Sequence, residues 1–208
     1  MEIKKVLPSE IESESFRIIR SELSQMGKEI PDDIEPTVVR AIHTTADFDY
    51  ADTLVFSENV IKKAKDAIRN GASIVTDTNM ALSGINKKAL SKFGGEAFCF
   101  MADEEVAQIA RERQVTRAYV SMEKASQIGK PLIFAIGNAP TALIRLRELY
   151  DEKGFRPELI IGVPVGFVNV VEAKKLILEM DVPYIVNVGR KGGSGVAAAI
   201  CNSLLYNM

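Results

Sequence analysis

From residue 50 onward the chain alternates two hydrophobic rhythms, short β-branched apolar runs and longer stretches in which apolar residues recur every three to four positions. The first rhythm reads as strand and the second as amphipathic helix. Strands are predicted over 53–57, 72–76, 97–101, 131–136, 159–163 and 184–188. Most are apolar on both faces, as strands covered by helices on either side must be. Between them, Val60, Ile61, Ala64, Ala67 and Ile68 form one helical face, closed by Asn70-Gly71. Asp103 stands where it would cap a helix burying Val106, Ile109 and Ala110. Pro140 suits a first turn, Leu143, Leu146 and Tyr150 line the face that follows, and Gly154 stops it. Val170, Ala173, Ile177 and Met180 repeat the pattern, and 196–205 reads as a closing helix. Strand, helix, strand in succession predicts right-handed crossovers and an α/β fold, a largely parallel β-sheet with helices on both faces.

The first 50 residues are helical in pattern. Ser9 and Glu12 have the spacing of a capping box, Phe16, Ile19 and Leu23 form a stripe, and Gly27 ends it. A second helix from Pro36 would turn Val38 and Ile42 to the core. It would set Arg40 and His43, three residues apart, on neighbouring positions of another face. The expectation is one α/β domain over 1–208, with a helical N-terminal segment 1–50 and an alternating core 51–208. A chain of 208 residues, 47% hydrophobic, has enough apolar surface for a sizeable core.

Charge narrows the partners. With 26 basic and 28 acidic residues there is no bulk field to draw the chain to nucleic acid or membrane, so an anionic ligand must be held by local placement. The N-terminus carries no apolar stretch of signal-sequence length, and no run of about 18 uncharged apolar residues follows, so the cytoplasm is the expected address. Cys99 and Cys201 stand alone, without paired-cysteine spacing, and with one histidine in the chain a protein-held transition metal is not expected.

That histidine, His43, is the obvious candidate for proton transfer, since imidazole is the side chain that ordinarily titrates near neutral pH. A lone histidine is also compatible with a plain surface or packing role. In an open parallel sheet, ligands bind outside the carboxyl ends of the strands. Small polar residues, glycine and proline gather in the segments expected there, 76–84, 137–141, 162–167 and 189–195. The last segment, Gly189-Arg-Lys-Gly-Gly-Ser-Gly195, combines close backbone approach, a helix start and two cations, a design suited to an anion. The candidate contacts are Arg190, Lys191, Gly192, Gly193 and Ser194. The same loop is also compatible with a tight turn that packs the last helix. It matches neither the Walker nor the dinucleotide fingerprint, so ATP and NAD are unsupported. Arg17, Arg40 and Arg117 read singly as solvated charges. Jointly with the loop they could hold a ligand with several carboxylates, because arginine pairs with that group bidentately. No Gly-x-Ser-x-Gly elbow is present to suggest a hydrolase.

Taken in order, Ser15-Phe-Arg-Ile-Ile19, Val39-Arg-Ala-Ile-His-Thr-Thr-Ala-Asp47, Thr76-Asp-Thr-Asn-Met80, Gly137-Asn-Ala-Pro-Thr-Ala-Leu143, Gly162-Val-Pro-Val-Gly-Phe167 with Glu172-Ala-Lys174, and Gly189-Arg-Lys-Gly-Gly-Ser194 resemble the precorrin-8X methylmutase family, which includes the cobalt-precorrin-8 methylmutases of cobalamin biosynthesis. The resemblance runs across nearly the whole chain. It implies an isomerase that moves a methyl group from C-11 to C-12 of a corrin precursor, giving hydrogenobyrinate or cobyrinate. It further implies His43 as the acid/base, a homodimer with the tetrapyrrole near the subunit interface, and no cofactor, any cobalt belonging to the substrate. The acetate and propionate arms of such a macrocycle would engage Arg17, Arg40, Arg117, Arg190, Lys191 and the 192–194 turn. Two other readings stand beside it: a corrinoid carrier without turnover, and an α/β enzyme holding phosphate at loop 189–195.

Overall fold

A computed structural model describes residues 7–208; residues 1–6, part of the stretch read above for targeting signals, lie outside it. After a 3-10 turn at Pro8–Glu10 come α1 (Ile11–Gln25), α2 (Glu35–Thr45), α3 (Tyr50–Thr53), β1 (Leu54–Phe56), α4 (Val60–Arg69), β2 (Ser73–Thr76), α5 (Asn79–Gly84), α6 (Lys87–Ser91) and β3 (Ala97–Phe98). The chain continues through α7 (Glu104–Arg113), α8 (Arg117–Ala125), β4 (Leu132–Ile136), α9 (Pro140–Lys153), β5 (Leu159–Gly162), α10 (Val170–Leu178), β6 (Tyr184–Asn187) and α11 (Ser194–Tyr206).

The six strands make one sheet in the order β1-β6-β5-β4-β2-β3. Every neighbouring pair is parallel except β1 with β6. β1 enters directly from the helical N-terminal segment without a crossover, which leaves it free to run antiparallel along the edge, with Leu54 opposite Asn187. The expected strand over 97–101 shortens to two residues, because β3 is the other edge and pairs with β2 alone.

Side chains of the central strands alternate between two cores, the period of two expected of strands buried on both faces. Ile133 and Ala135 of β4 pack with α2, α4 and α11, while Leu132, Phe134 and Ile136 pack with α8, α9 and α10. α11 covers the first face, α2 lies on α11, and α1 lies on α2. α2 runs along α11, with Thr37 bonded to Ser203 and Thr44 beside Gly195, so that only its C-terminal end reaches the start of α11. Among the described residues no helix is long and apolar enough to cross a membrane.

Two helix starts differ from the sequence expectation. The Ser9 capping box does not form: Pro8 opens a 3-10 turn, α1 begins only at Ile11 behind Glu10, and the Glu12 carboxylate pairs with Arg40 instead. Asp103 does precede α7, but its carboxylate makes no capping bond; it meets Lys124 at 3.0 Å. Side-chain caps form elsewhere, where Thr78, Asn86 and Thr116 each accept the backbone N–H three residues on.

Candidate active site

His43 occupies the last turn of α2 and is exposed to solvent. Its ring makes a T-shaped contact with Phe16 from α1, with centroids 5.2 Å apart and planes perpendicular. A perpendicular aromatic neighbour of this kind limits rotation of the exposed imidazole ring. Arg40, one turn earlier, is held more firmly. Its Nη1 donates to Glu12 at 3.0 Å, and its guanidinium lies between the rings of Phe16 and Tyr206, 5.0 and 4.9 Å from their centroids. The Arg40 side chain keeps only 13% exposure. Arg40 and Thr44 border an open groove of about 340 Å³, walled on the far side by Met80 of α5 and by Gly195, Ala198 and Asn202 of α11.

The C-terminal end of α2 is tied to the glycine-rich loop. Lys191 Nζ donates to Asp47 and to Asp49, both at 2.6 Å, which raises the Lys191 pKa and lowers that of Asp47. Lys191 is thus already neutralised by the chain's own carboxylates. Its role as a free anion contact is reduced to that extent, while its role in joining the loop to the His43 helix is direct. Arg190 is exposed, lies over the exposed Phe167 ring at 5.4 Å, and has no carboxylate partner among the described residues.

The loop backbone has a definite polarity. The carbonyls of Gly189 and Lys191 accept from the buried Lys174 Nζ, that of Lys191 also from the buried Asn187 Nδ2, and the carbonyl of Arg190 accepts from Gly166 N–H in the half-buried loop after β5. Gly193 N–H donates to Val163 O at 2.9 Å, so the anion site expected at 192–194 loses that donor. Gly192 presses against the Val163 carbonyl so closely that no Cβ fits. The N–H groups of Arg190, Lys191, Gly192, Ser194 and Gly195 have no acceptor among the described residues. Ser194 Oγ pairs with Thr78 Oγ1 at 2.7 Å, joining the start of α11 to the loop after β2.

A second helix start on this edge is closed to ligands. Asp77, fully buried after β2, accepts N–H bonds from Gly137, Asn138 and Ala139, the residues leading into α9. Burial pushes its carboxyl pKa up, and the three amides pull against that. One helix start is therefore filled by the protein's own carboxylate and the other is left open.

The remaining arginines lie further out. Arg17, exposed on α1 beside Phe16, is paired with Glu14 at 2.8 and 2.9 Å. Arg117 opens α8 toward the β3 side of the same edge, with Nη1 at 3.5 Å from Met101 O. The start of α8 meets that of α9 through Thr116 and Thr141 at 2.7 Å. Arg40 and His43 thus lie along α2, Arg40 against Tyr206 at the far end of α11; Lys191 ties the glycine-rich loop to the residues that follow α2, Arg190 stands on that loop, and Arg117 opens α8.

Asp77 and Lys174 stand within the sequence motifs, but spacing alone assigns neither a role. Lys174 was legible in principle, because it falls on the apolar stripe of Val170, Ala173 and Ile177, where a lysine cannot reach solvent. It is 1% exposed, and burial lowers its pKa from 10.5 to about 8. Among the described residues no cluster of three or more histidine, cysteine or acidic side chains could hold a metal ion.

The family model for precorrin-8X methylmutase matches residues 10–207. The cobalt-precorrin-8 methylmutase of Salmonella typhimurium is 42% identical over an alignment spanning 97% of this chain and 96% of its own length. The precorrin-8X methylmutase of Pseudomonas aeruginosa is 36% identical, spanning 92% and 91%. A solved precorrin-8X methyl mutase from Thermus thermophilus superposes with a TM-score of 0.84 at 40% identity, covering 95% of this chain and 96% of that one.

Proposed function

The chain belongs to the precorrin-8X methylmutase family, and on that premise we propose that it catalyses the methyl migration from C-11 to C-12 of a precorrin-8-type tetrapyrrole in cobalamin biosynthesis, with His43 as the proton donor. The enzyme is an intramolecular isomerase. Neither a carrier without turnover nor a phosphate-binding enzyme is favoured by that membership.

The observation that carries the assignment of His43 is the placement of the chain's single imidazole, exposed at the end of α2, steadied by Phe16 and one residue from the groove-lining Thr44. Protonating the conjugated macrocycle makes the migration terminus electron-poor. The methyl group then moves with its bonding pair in a [1,5] shift, and the proton returns to the imidazole. General acid catalysis of this kind contributes about 10²–10⁴-fold. Neither a separate methyl donor nor a cofactor is needed, and any cobalt travels in the substrate.

Substrate carboxylates are bound by Arg190, Arg117 and the open N–H groups at 190–195, with Arg17, Arg40 and Lys191 available where an arm displaces Glu14, Glu12 or the Asp47 and Asp49 pair. The last three contacts exchange one carboxylate for another, so they contribute less affinity than Arg190 or Arg117. A homodimer is part of the proposal, since Met80, Phe167 and Val168 are large apolar side chains 73%, 82% and 77% exposed beside this edge. The address is cytoplasmic. Incubation with cobalt-precorrin-8 or metal-free precorrin-8, followed by ultraviolet-visible spectroscopy, tests the activity: conversion to the corrin spectrum supports it, and an unchanged spectrum with both substrates refutes it.

A further inference from the structure

A lysine sealed in the interior ordinarily has a carboxylate beside it. Lys174 has none. Its two acceptors are main-chain carbonyls, Gly189 O and Lys191 O, each 2.8 Å from Nζ, and both belong to the loop that precedes α11. The lowering of its pKa has burial as its one cause. A charge or a pair of donors so placed must offset its own desolvation by what it does for the loop.

What it does is set the direction of the peptide groups. A peptide unit presents its C=O and N–H on opposite sides, so drawing the Gly189 and Lys191 carbonyls inward turns the N–H groups of Arg190 and Gly192 away from the interior. Gly166 N–H, from the half-buried loop after β5, holds the Arg190 carbonyl at 3.2 Å and so fixes the N–H of Lys191 on the side away from that loop. Asn187 Nδ2 supplies a second inward anchor on Lys191 O at 2.8 Å, and Asn187 is itself fully buried, with Oδ1 accepting from Thr53 Oγ1 at 2.7 Å. Three successive amides are left without an acceptor among the described residues. Successive backbone amides without internal acceptors are the donors from which oxyanion-binding concavities are built.

We infer that Lys174 is a positioning residue for substrate binding: it holds loop 189–193 with the carbonyls inward, so that the N–H groups of Arg190, Lys191 and Gly192 bind one carboxylate arm of the macrocycle. The inference rests on the proposed function, since it takes the tetrapyrrole carboxylate as the ligand of this loop. Lys174 touches no substrate itself, and its removal affects affinity and leaves the chemistry at His43 alone.

The test uses the full-length protein, cobalt-precorrin-8 as substrate and cobyrinate as the binding probe, with the variants Lys174→Met, Lys174→Arg and Arg190→Ala. Lys174→Met is expected to raise KM and the cobyrinate Kd about tenfold, the effect of losing a charge-assisted contact, with kcat within twofold of the parent. Lys174→Arg, which keeps the donors, recovers most of the affinity. A merely structural lysine would lower the melting temperature and the active fraction without this split. In the ¹⁵N-labelled parent, cobyrinate shifts the amide resonances of 190–192, a readout independent of whether any variant folds. Unchanged KM and Kd in a folded Lys174→Met beside weakened binding in Arg190→Ala overturns the role of Lys174 and leaves the loop as a binding element. Still amides in the parent together with full affinity in Arg190→Ala overturns the loop reading, and the inference with it.

Discussion

Replacing Lys174 by methionine keeps the length of the side chain and removes its charge and donors, and the effect on stability has a pH signature that can be worked out in advance. In the folded protein Lys174 titrates at about 8, lowered from 10.5 by burial. Unfolded, it returns to the ordinary value, about 10.4. Below pH 8 both states hold the proton, and the folded state carries the full penalty of a buried ammonium. Between pH 8 and 10.5 the unfolded chain holds a proton that the folded chain has released, so stability rises with pH across that window. At 1.36 kcal/mol per unit, the whole window contributes about 3 kcal/mol, of which about 2–3 is gained between pH 7 and 10. The neutral amine still has two N–H groups for its two carbonyls, so the loop contacts survive deprotonation. Urea denaturation of parent and Lys174→Met across this range gives the difference directly, because the other titrations are common to both. The expected result is a difference that shifts in the parent's favour by about 2–3 kcal/mol from pH 7 to 10. A difference that stays flat would show that Lys174 titrates as a solvated lysine and would refute the reasoning about its burial.

Three further outcomes follow from the site. Asp77→Ala leaves three N–H groups ahead of α9 without their acceptor; at about 1–3 kcal/mol for each unsatisfied donor, offset by removal of a buried carboxylate, it should lower stability by about 3–5 kcal/mol in denaturant titration. Gly192→Ala drives a Cβ into the Val163 carbonyl, so its loop must shift; a loss of about 2–4 kcal/mol, with weaker cobyrinate binding, is expected from calorimetry and binding titration. Arg40→Ala removes a guanidinium lying between Phe16 and Tyr206 and paired with the exposed Glu12. With the ion pair discounted for solvent, the two ring contacts amount to about 1–2 kcal/mol, read as a fall of a few degrees in melting temperature.

The architecture could be read from the chain because the alternating rhythms are long and repeated: the six strands of the described residues fall within the apolar runs, and both faces of β4 are buried as its unbroken run implies. The antiparallel entry of β1 was hidden, since a three-residue edge strand carries no signal of its direction. Capping was misread where a side chain turned to a partner distant in sequence, as with Glu12 on Arg40 and Asp103 on Lys124. The same limit applies to the site. Residue type and spacing marked His43, Arg40 and the glycine-rich loop, but not that Lys191 is held by Asp47 and Asp49, more than 140 residues earlier. Nor could spacing show that Gly193 N–H is taken up by Val163, or that Asp77 fills the start of α9. Such long-range pairings are decided by the packing of loops against one another, and no local pattern encodes them.

The central claim is that His43 supplies the proton for methyl migration. The most direct test is single-turnover conversion of cobalt-precorrin-8, followed by its ultraviolet-visible spectrum, in the parent and in His43→Ala. His43 is exposed, so the variant should fold and bind substrate normally. The expected result is unchanged binding with a conversion rate reduced about 10²–10⁴-fold. Conversion by His43→Ala at the parental rate would contradict the account.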